Sequence, residues 1–143
     1  MTKFAVRQNA QGKPEILDRV RRKYVACTDE EKVRQMTIVY LNETLNVPMS
    51  CMAVETALKV NNLSKRTDLV VMNVQSKPAL IVECKAPSVK ITQDVFDQIA
   101  RYNLTLQVNY LMVTNGVEQY ICKLDFEKQT YHFIPELPDW SAF

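Results

Sequence analysis

Glycine is almost absent from this sequence, which holds only Gly12 and Gly116. Walker-type phosphate loops and GxGxxG dinucleotide fingerprints need clustered glycines, so that the backbone can approach a phosphate without a Cβ in the way. Neither fits, so the chain carries no ATP site of that kind. Histidine is scarcer still, with His132 alone. The four cysteines (Cys27, Cys51, Cys84 and Cys122) form no CxxC pair. A zinc site needs closely spaced ligand pairs, and reduced thiols packed in a core are the plainer reading. No apolar run reaches the roughly 18–20 residues that span a bilayer. The opening segment, MTKFAVRQNAQGKPEIL, lacks the apolar centre of a signal peptide. The expectation is a cytoplasmic protein with no membrane partner. Internal repeats, low-complexity tracts and Gly/Ser linkers are missing as well.

What is present suits a globular protein: 143 residues, 47% hydrophobic and 24% charged. One domain over 1–143 is expected, with residues 1–20 as an N-terminal extension and a core of about 28–134. The net charge of +2 is unevenly spread, with seven Lys/Arg against two Asp/Glu in residues 1–26 and two against five in 117–143. The basic run Arg19, Arg21, Arg22 and Lys23 suits phosphate neutralisation. It suits a solvated helix face equally well.

Helical periodicity starts after Thr28, a good N-cap followed by the acidic first turn Asp29, Glu30, Glu31. Val33, Met36, Tyr40, Leu41 and Leu45 then predict a helix over 29–45, stopped by Pro48. Three strands follow: Met52–Val60, then Asp68–Val74 after a turn in NNLSKR, then Ala79–Lys85 after QSKP. The run ALIV is apolar on both pleat faces, as in a strand covered on both sides. A second helix fits 92–106, with Val95, Ile99, Tyr102 and Leu106 on one face. A buried strand, 109–114, and a hairpin from EQYICKLD and QTYHFIP complete the chain. The order α-β-β-β-α-β plus a C-terminal hairpin predicts an α/β fold with a mixed sheet flanked by helices.

Strand alternation turns Glu83 and Lys85 to one face and Cys84 to the other. Charged groups at the end of a strand that begins ALIV are costly at the core's edge unless they are paired. Asp68 opens the neighbouring strand and can return beside Glu83. Two carboxylates converging from adjacent strands make an oxygen-rich site for a hard cation, Mg²⁺ above all. Such a cation stabilises phosphodiester hydrolysis and lowers the pKa of the attacking water. A lysine alongside can orient that water and stabilise developing charge. Taken alone, E-x-K is commonly a surface ion pair. The aspartate on the preceding strand, the apolar run leading in and Pro87 closing the strand point to a metal site.

The segments KRTDLVV (65–71), ALIVECKAP (79–87), VFDQIARYN (95–103) and LMVTNG (111–116), in that order, resemble the N-terminal nuclease domain of type I restriction enzyme R subunits. They look like the small stand-alone form of that domain, and TDEEKVRQ (28–35) resembles the family's first-helix signature. The resemblance implies the PD-(D/E)XK, restriction-endonuclease-like fold and Mg²⁺-dependent DNA cleavage, with Mn²⁺ able to substitute. It makes Asp68 and Glu83 metal ligands and Lys85 the catalytic lysine. It matches Gln98 and Tyr102 to a Q-x-x-x-Y helix motif, whose i, i+4 spacing puts both on one face. Amphipathic packing, with Tyr102 in the core, would explain the same spacing. Glu31 corresponds to a first-helix acid that approaches the metal directly or through water, although the helix dipole also favours an acid there. Arg66 fits a phosphate contact, a partner for a site carboxylate or an exposed turn residue. The PD dipeptide is Thr67-Asp68 here. The ATP motor of a full R subunit has no counterpart in these residues.

The leading expectation is therefore a metal-dependent endodeoxyribonuclease. The alternative is a catalytically weak nucleic-acid-binding or assembly module of the same fold. Expected partners are DNA and either a second copy, giving two sites for double-strand cleavage, or a separate motor or specificity subunit. No base-reading motif separates DNA from RNA.

Overall fold

Helix α1, Asp29–Thr44, starts where Thr28 Oγ1 accepts a hydrogen bond from the Glu31 amide. The computed structural model describes residues 4–60 and 63–143. The predicted helix is present, but its buried face differs from the apolar stripe. Val33, Ile38 and Leu41 are buried together with Glu31, Arg34, Gln35 and Thr37, while Met36 is exposed. Polar side chains occupy the first two turns of that face because other polar groups meet them there.

Three N-terminal strands, β1 (Val6–Gln8), β2 (Pro14–Asp18) and β3 (Lys23–Ala26), form an antiparallel sheet. The segment expected as an extension is thus structured. Ile16 and Asp18 are buried, and Val20 packs against the α1 core. The basic run is no helix face. Arg19–Arg22 is the turn between β2 and β3, closed by the Arg22 amide donating to the Asp18 carbonyl at 2.8 Å.

The main sheet has six strands in the order β4-β5-β6-β7-β8-β9: β4 Met52–Val60, β5 Leu63–Met72, β6 Pro78–Cys84, β7 Tyr110–Thr114, β8 Gln119–Asp125 and β9 Thr130–Ile134. All neighbours are antiparallel except β6 and β7, which run parallel and are joined through helix α2, Gln93–Leu104. Two features correct the sequence reading. The polar NNLSKR segment is not simply a turn: 61–62 lie outside the described residues, and Leu63 onward is strand. Asp68 therefore lies inside β5 rather than at its start. Polar residues here mark an exposed two-stranded ribbon, with Ser64 and Arg66 facing solvent.

The helices cover opposite faces of the sheet. Val33, Ile38 and Leu41 of α1 pack with Leu69, Val71, Leu80, Val82 and Cys84. Phe96, Ala100 and Leu104 of α2 pack with Val70, Ile81, Leu111 and Val113. Strand β6 and the Leu69–Val71 part of β5 are apolar on both faces because both faces are covered there. The aromatic rings of Tyr120, Tyr131 and Phe133 surround Phe96 at centroid distances of 6.1, 5.7 and 4.9 Å and seat the start of α2. No helix is long and apolar enough to cross a membrane among the described residues.

Candidate functional site

The ladder between β5 and β6 ends at the pair Leu69↔Val82. One step further in the same register, Asp68 stands opposite Glu83. There the strands part, and the Asp68 side chain takes over the ladder's role: its Oδ2 accepts from the Cys84 amide at 2.8 Å. On its other side β6 stays tied to β7, with Glu83 paired to Val113 and the Lys85 amide donating to the Thr114 carbonyl at 2.8 Å. Leu80, Val82 and Cys84 face α1, while Ile81 faces α2. Alternation then gives Glu83 the α2 face and Asp68 the parity of Val70 on that face, while Lys85, expected as the last strand residue, follows just beyond the end of β6. All three are half-buried. Register and parity thus bring Asp68, Glu83 and Lys85 to one sheet end.

Among the described residues no group of three or more His, Cys, Asp or Glu side chains is arranged to hold a metal ion. Mg²⁺ does not require such a cage, since it keeps several waters and takes one or two carboxylates. The donor set of Asp68 and Glu83 fits that coordination habit.

Glu31 is placed differently. Its carboxylate receives a bidentate pair from Arg34, at 2.6 and 2.8 Å, and a further bond from Gln35 Nε2 at 3.2 Å. Both members of the pair are buried. Arg34 in turn reaches the Asp68 carbonyl at 3.4 Å and the Glu55 carboxylate at 3.3 Å. Burial by itself would ease the guanidinium's proton off, but Glu31, Glu55 and Asp68 outweigh it and hold the Arg34 pKa above its ordinary value. Glu31 connects to the strand end through Arg34.

Glu55 was missed by sequence reasoning. It lies between the paired positions Val54↔Leu69 and Thr56↔Thr67, directly across from Asp68, with a left-handed φ of +51°. A non-glycine residue in that conformation stores roughly 1–3 kcal/mol of strain and persists only where its surroundings hold it. Here Arg66 at 3.1 Å, Arg34 at 3.3 Å and Arg21 at 3.4 Å converge on its carboxylate. The hydrogen bond from Arg66 is the main cause that draws the Glu55 pKa below the usual glutamate value, against the effect of burial. Arg66 is therefore a strand residue paired to a carboxylate, not a turn residue. The available signal for this network was the polar set Glu31, Arg34 and Gln35, spaced along one face of an otherwise apolar helix.

Gln98 and Tyr102 lie on the outer side of α2, beside Asp94, Asp97 and Arg101. Phe96, Ala100, Asn103 and Leu104 form the buried side. Tyr102 is 44% exposed, which removes core packing as the reason for the pair. Its hydroxyl donates to the Ser64 carbonyl of β5 at 3.4 Å, on the same strand as Asp68.

Residues 29–138 match the family model described as type I restriction enzyme R protein N terminus. The chain belongs to that family. The matched span holds α1, the six-stranded sheet and α2, and leaves out the three N-terminal strands. The fold is also similar to a solved fragment described as an HsdR subunit of a type I restriction enzyme from Vibrio vulnificus YJ016. The TM-score is 0.54 and the identity 17%, over 80% of this chain. The match covers 25% of that protein, so the chain spans about a quarter of its length. Comparison with curated proteins gives no match.

Proposed function

We propose that this domain is a Mg²⁺-dependent nuclease of the PD-(D/E)XK type, hydrolysing DNA phosphodiester bonds at the end of β5 and β6. The carrying observation is the parting of these strands at Asp68 and Glu83, with Lys85 just past the end of β6. Family membership supports a restriction-system setting, with DNA and other subunits as partners.

Asp68 and Glu83 would hold the cation, with Mn²⁺ able to replace Mg²⁺. When bound, the cation supplies charge neutralisation on the phosphoryl oxygens and a lowered pKa for water. The chain's own residues do the rest. The Cys84 amide fixes Asp68 Oδ2 and leaves the other carboxylate oxygen to face the site. Lys85 orients the attacking water and stabilises the negative charge that develops on the phosphate. Glu31 acts through Arg34, which braces the backbone of Asp68, rather than as a direct ligand. Gln98 and Tyr102 border the substrate side, where they contact the DNA backbone.

Supercoiled plasmid incubated with Mg²⁺ or Mn²⁺ tests this reading. Wild type should nick or linearise it, and Lys85→Ala should lower the rate by two to four orders of magnitude, on the order expected for a lost acid–base and charge-stabilising group. Equal background rates for wild type and Lys85→Ala would sink it.

A second reading, a catalytically weak nucleic-acid-binding or assembly module, draws on the quarter-length match to the longer HsdR fragment. It predicts salt-sensitive DNA binding that a chelator leaves unchanged.

A further inference from the structure

Three arginines from three different elements meet one carboxylate beside the proposed cleavage site. Arg21 comes from the turn between β2 and β3, Arg34 from α1 and Arg66 from β5, and all bond to Glu55. Arg34 is buried and also held by Glu31, and Arg21 is also held by Asp18 and Glu31. Arg21 and Arg66 have side chains 24% and 72% exposed, and the Glu55 side chain is 38% exposed. The acceptor is thus at the surface, and two of its donors can reach past it to solvent.

A glutamate is an unlikely residue for this backbone. Its φ of +51° interrupts the ladder between β4 and β5, and glycine or asparagine would adopt that conformation at less cost. The strained backbone presents an anion to the arginine cluster, directly opposite Asp68. Arginine forks recognise carboxylate and phosphate oxygens with the same geometry. A carboxylate bound by such a cluster occupies the position that a phosphate would take.

We propose that Glu55 is a built-in phosphate mimic, and that Arg21 and Arg66 form a DNA-backbone phosphate site which Glu55 blocks until substrate displaces it. The site lies beside Asp68 on the α1 side of the sheet end, where Arg34 also meets the Asp68 carbonyl, so the phosphate it takes is a different one from the scissile phosphate. This deepens the nuclease reading, on which the choice of DNA as ligand rests. Displacing Glu55 frees Arg66 and the Nη1 of Arg21 for the duplex, while Asp18 and Glu31 keep the other Arg21 nitrogens in place. It also couples DNA engagement to the strand segment that holds Asp68.

The test is duplex binding by fluorescence anisotropy in EDTA, over a range of salt concentrations, with the full chain. Glu55→Gly removes the carboxylate and suits the left-handed backbone, so the variant is expected to fold. Glu55→Gln removes only the charge. Both should bind duplex on the order of tenfold more tightly than wild type, with a salt slope steeper by about one phosphate contact. Adding Arg21→Ala and Arg66→Ala to Glu55→Gly should abolish that gain. Unchanged or weaker binding by Glu55→Gly, or a gain that survives loss of both arginines, would overturn the proposal. Because the measurement is made without metal, it separates from cleavage. Tighter binding without cleavage in Mg²⁺ would remove the nuclease reading and leave the phosphate site. Cleavage with no effect of Glu55 would do the reverse.

Discussion

At the residue scale, Asp68 has two tasks that substitution can separate. It accepts the Cys84 amide at the point where β5 and β6 part, and it is proposed to hold a cation. Asp68→Asn keeps an acceptor oxygen for the amide but removes the charge. It should fold like wild type and lose Mn²⁺ binding by calorimetry. Asp68→Ala leaves the Cys84 amide without its partner and should cost about 1–3 kcal/mol in a urea titration. An Asn variant that bound Mn²⁺ normally would show that Asp68 serves the ladder only. The place of Glu83 near the end of its strand was legible because the apolar run leading into it is local in the chain. Glu55 was not legible. Its importance lies in a backbone angle and in arginines 34, 21 and 11 positions away in sequence.

At the element scale, α2 is held by Phe96, Ala100 and Leu104, and Phe96 is the largest of them. Phe96 is fully enclosed by the apolar residues of the sheet and the rings of Tyr120, Tyr131 and Phe133. Phe96→Ala should cost about 3–5 kcal/mol, the usual range for emptying an aromatic site in a core, measured by denaturant unfolding. Loss of well under 1 kcal/mol would mean that α2 is held elsewhere. Of the face expected for this helix, Ile99 packs on the core and Leu106 is buried, while Tyr102 is exposed. The packing partner decided this: Phe96, Ala100, Asn103 and Leu104 are the residues buried against the sheet. The first helix shows the converse. Its cap, acidic start and length were legible, whereas burial of Glu31, Arg34 and Gln35 followed from residues of the N-terminal turn and of β4 that no local pattern announces.

At the scale of the whole molecule, acid should loosen the join between the N-terminal sheet and the main sheet. Asp18 is buried, which alone would raise its pKa, but bonds from Arg21 and the Val20 amide outweigh that and lower it from 3.8. Glu55 is lowered from 4.5, chiefly by Arg66. A carboxylate whose folded pKa is depressed contributes stability that is complete above its unfolded value and is lost as pH falls through the folded one. Thermal stability should therefore hold steady from neutral pH to about pH 5 and fall below about pH 4. Asp18→Asn should flatten that acid limb. An identical limb in the variant would assign the loss to other groups. The cysteines divide in the fold as well. Cys84 and Cys122 are buried free thiols and Cys27 and Cys51 are partly exposed, so the expected core packing applies fully to two of them. Burial pushes Cys84 well above the usual thiol range and Cys122 up to about 12.

By itself, the sequence determined the local terms: the cap at Thr28, the doubly apolar strands around Val70 and Ile81, and the segments that resemble the type I restriction R-subunit family. These depend on residues close together in the chain, where periodicity and turn chemistry act. Tertiary structure decided what meets across distance. It folded residues 6–26 into a sheet, set Asp68 inside a strand opposite Glu83, turned Tyr102 outward and gathered Arg21, Arg34 and Arg66 around Glu55. The physical reason is that a buried or strained charge is tolerable only beside its partners, and those partners are chosen by the packing of whole elements.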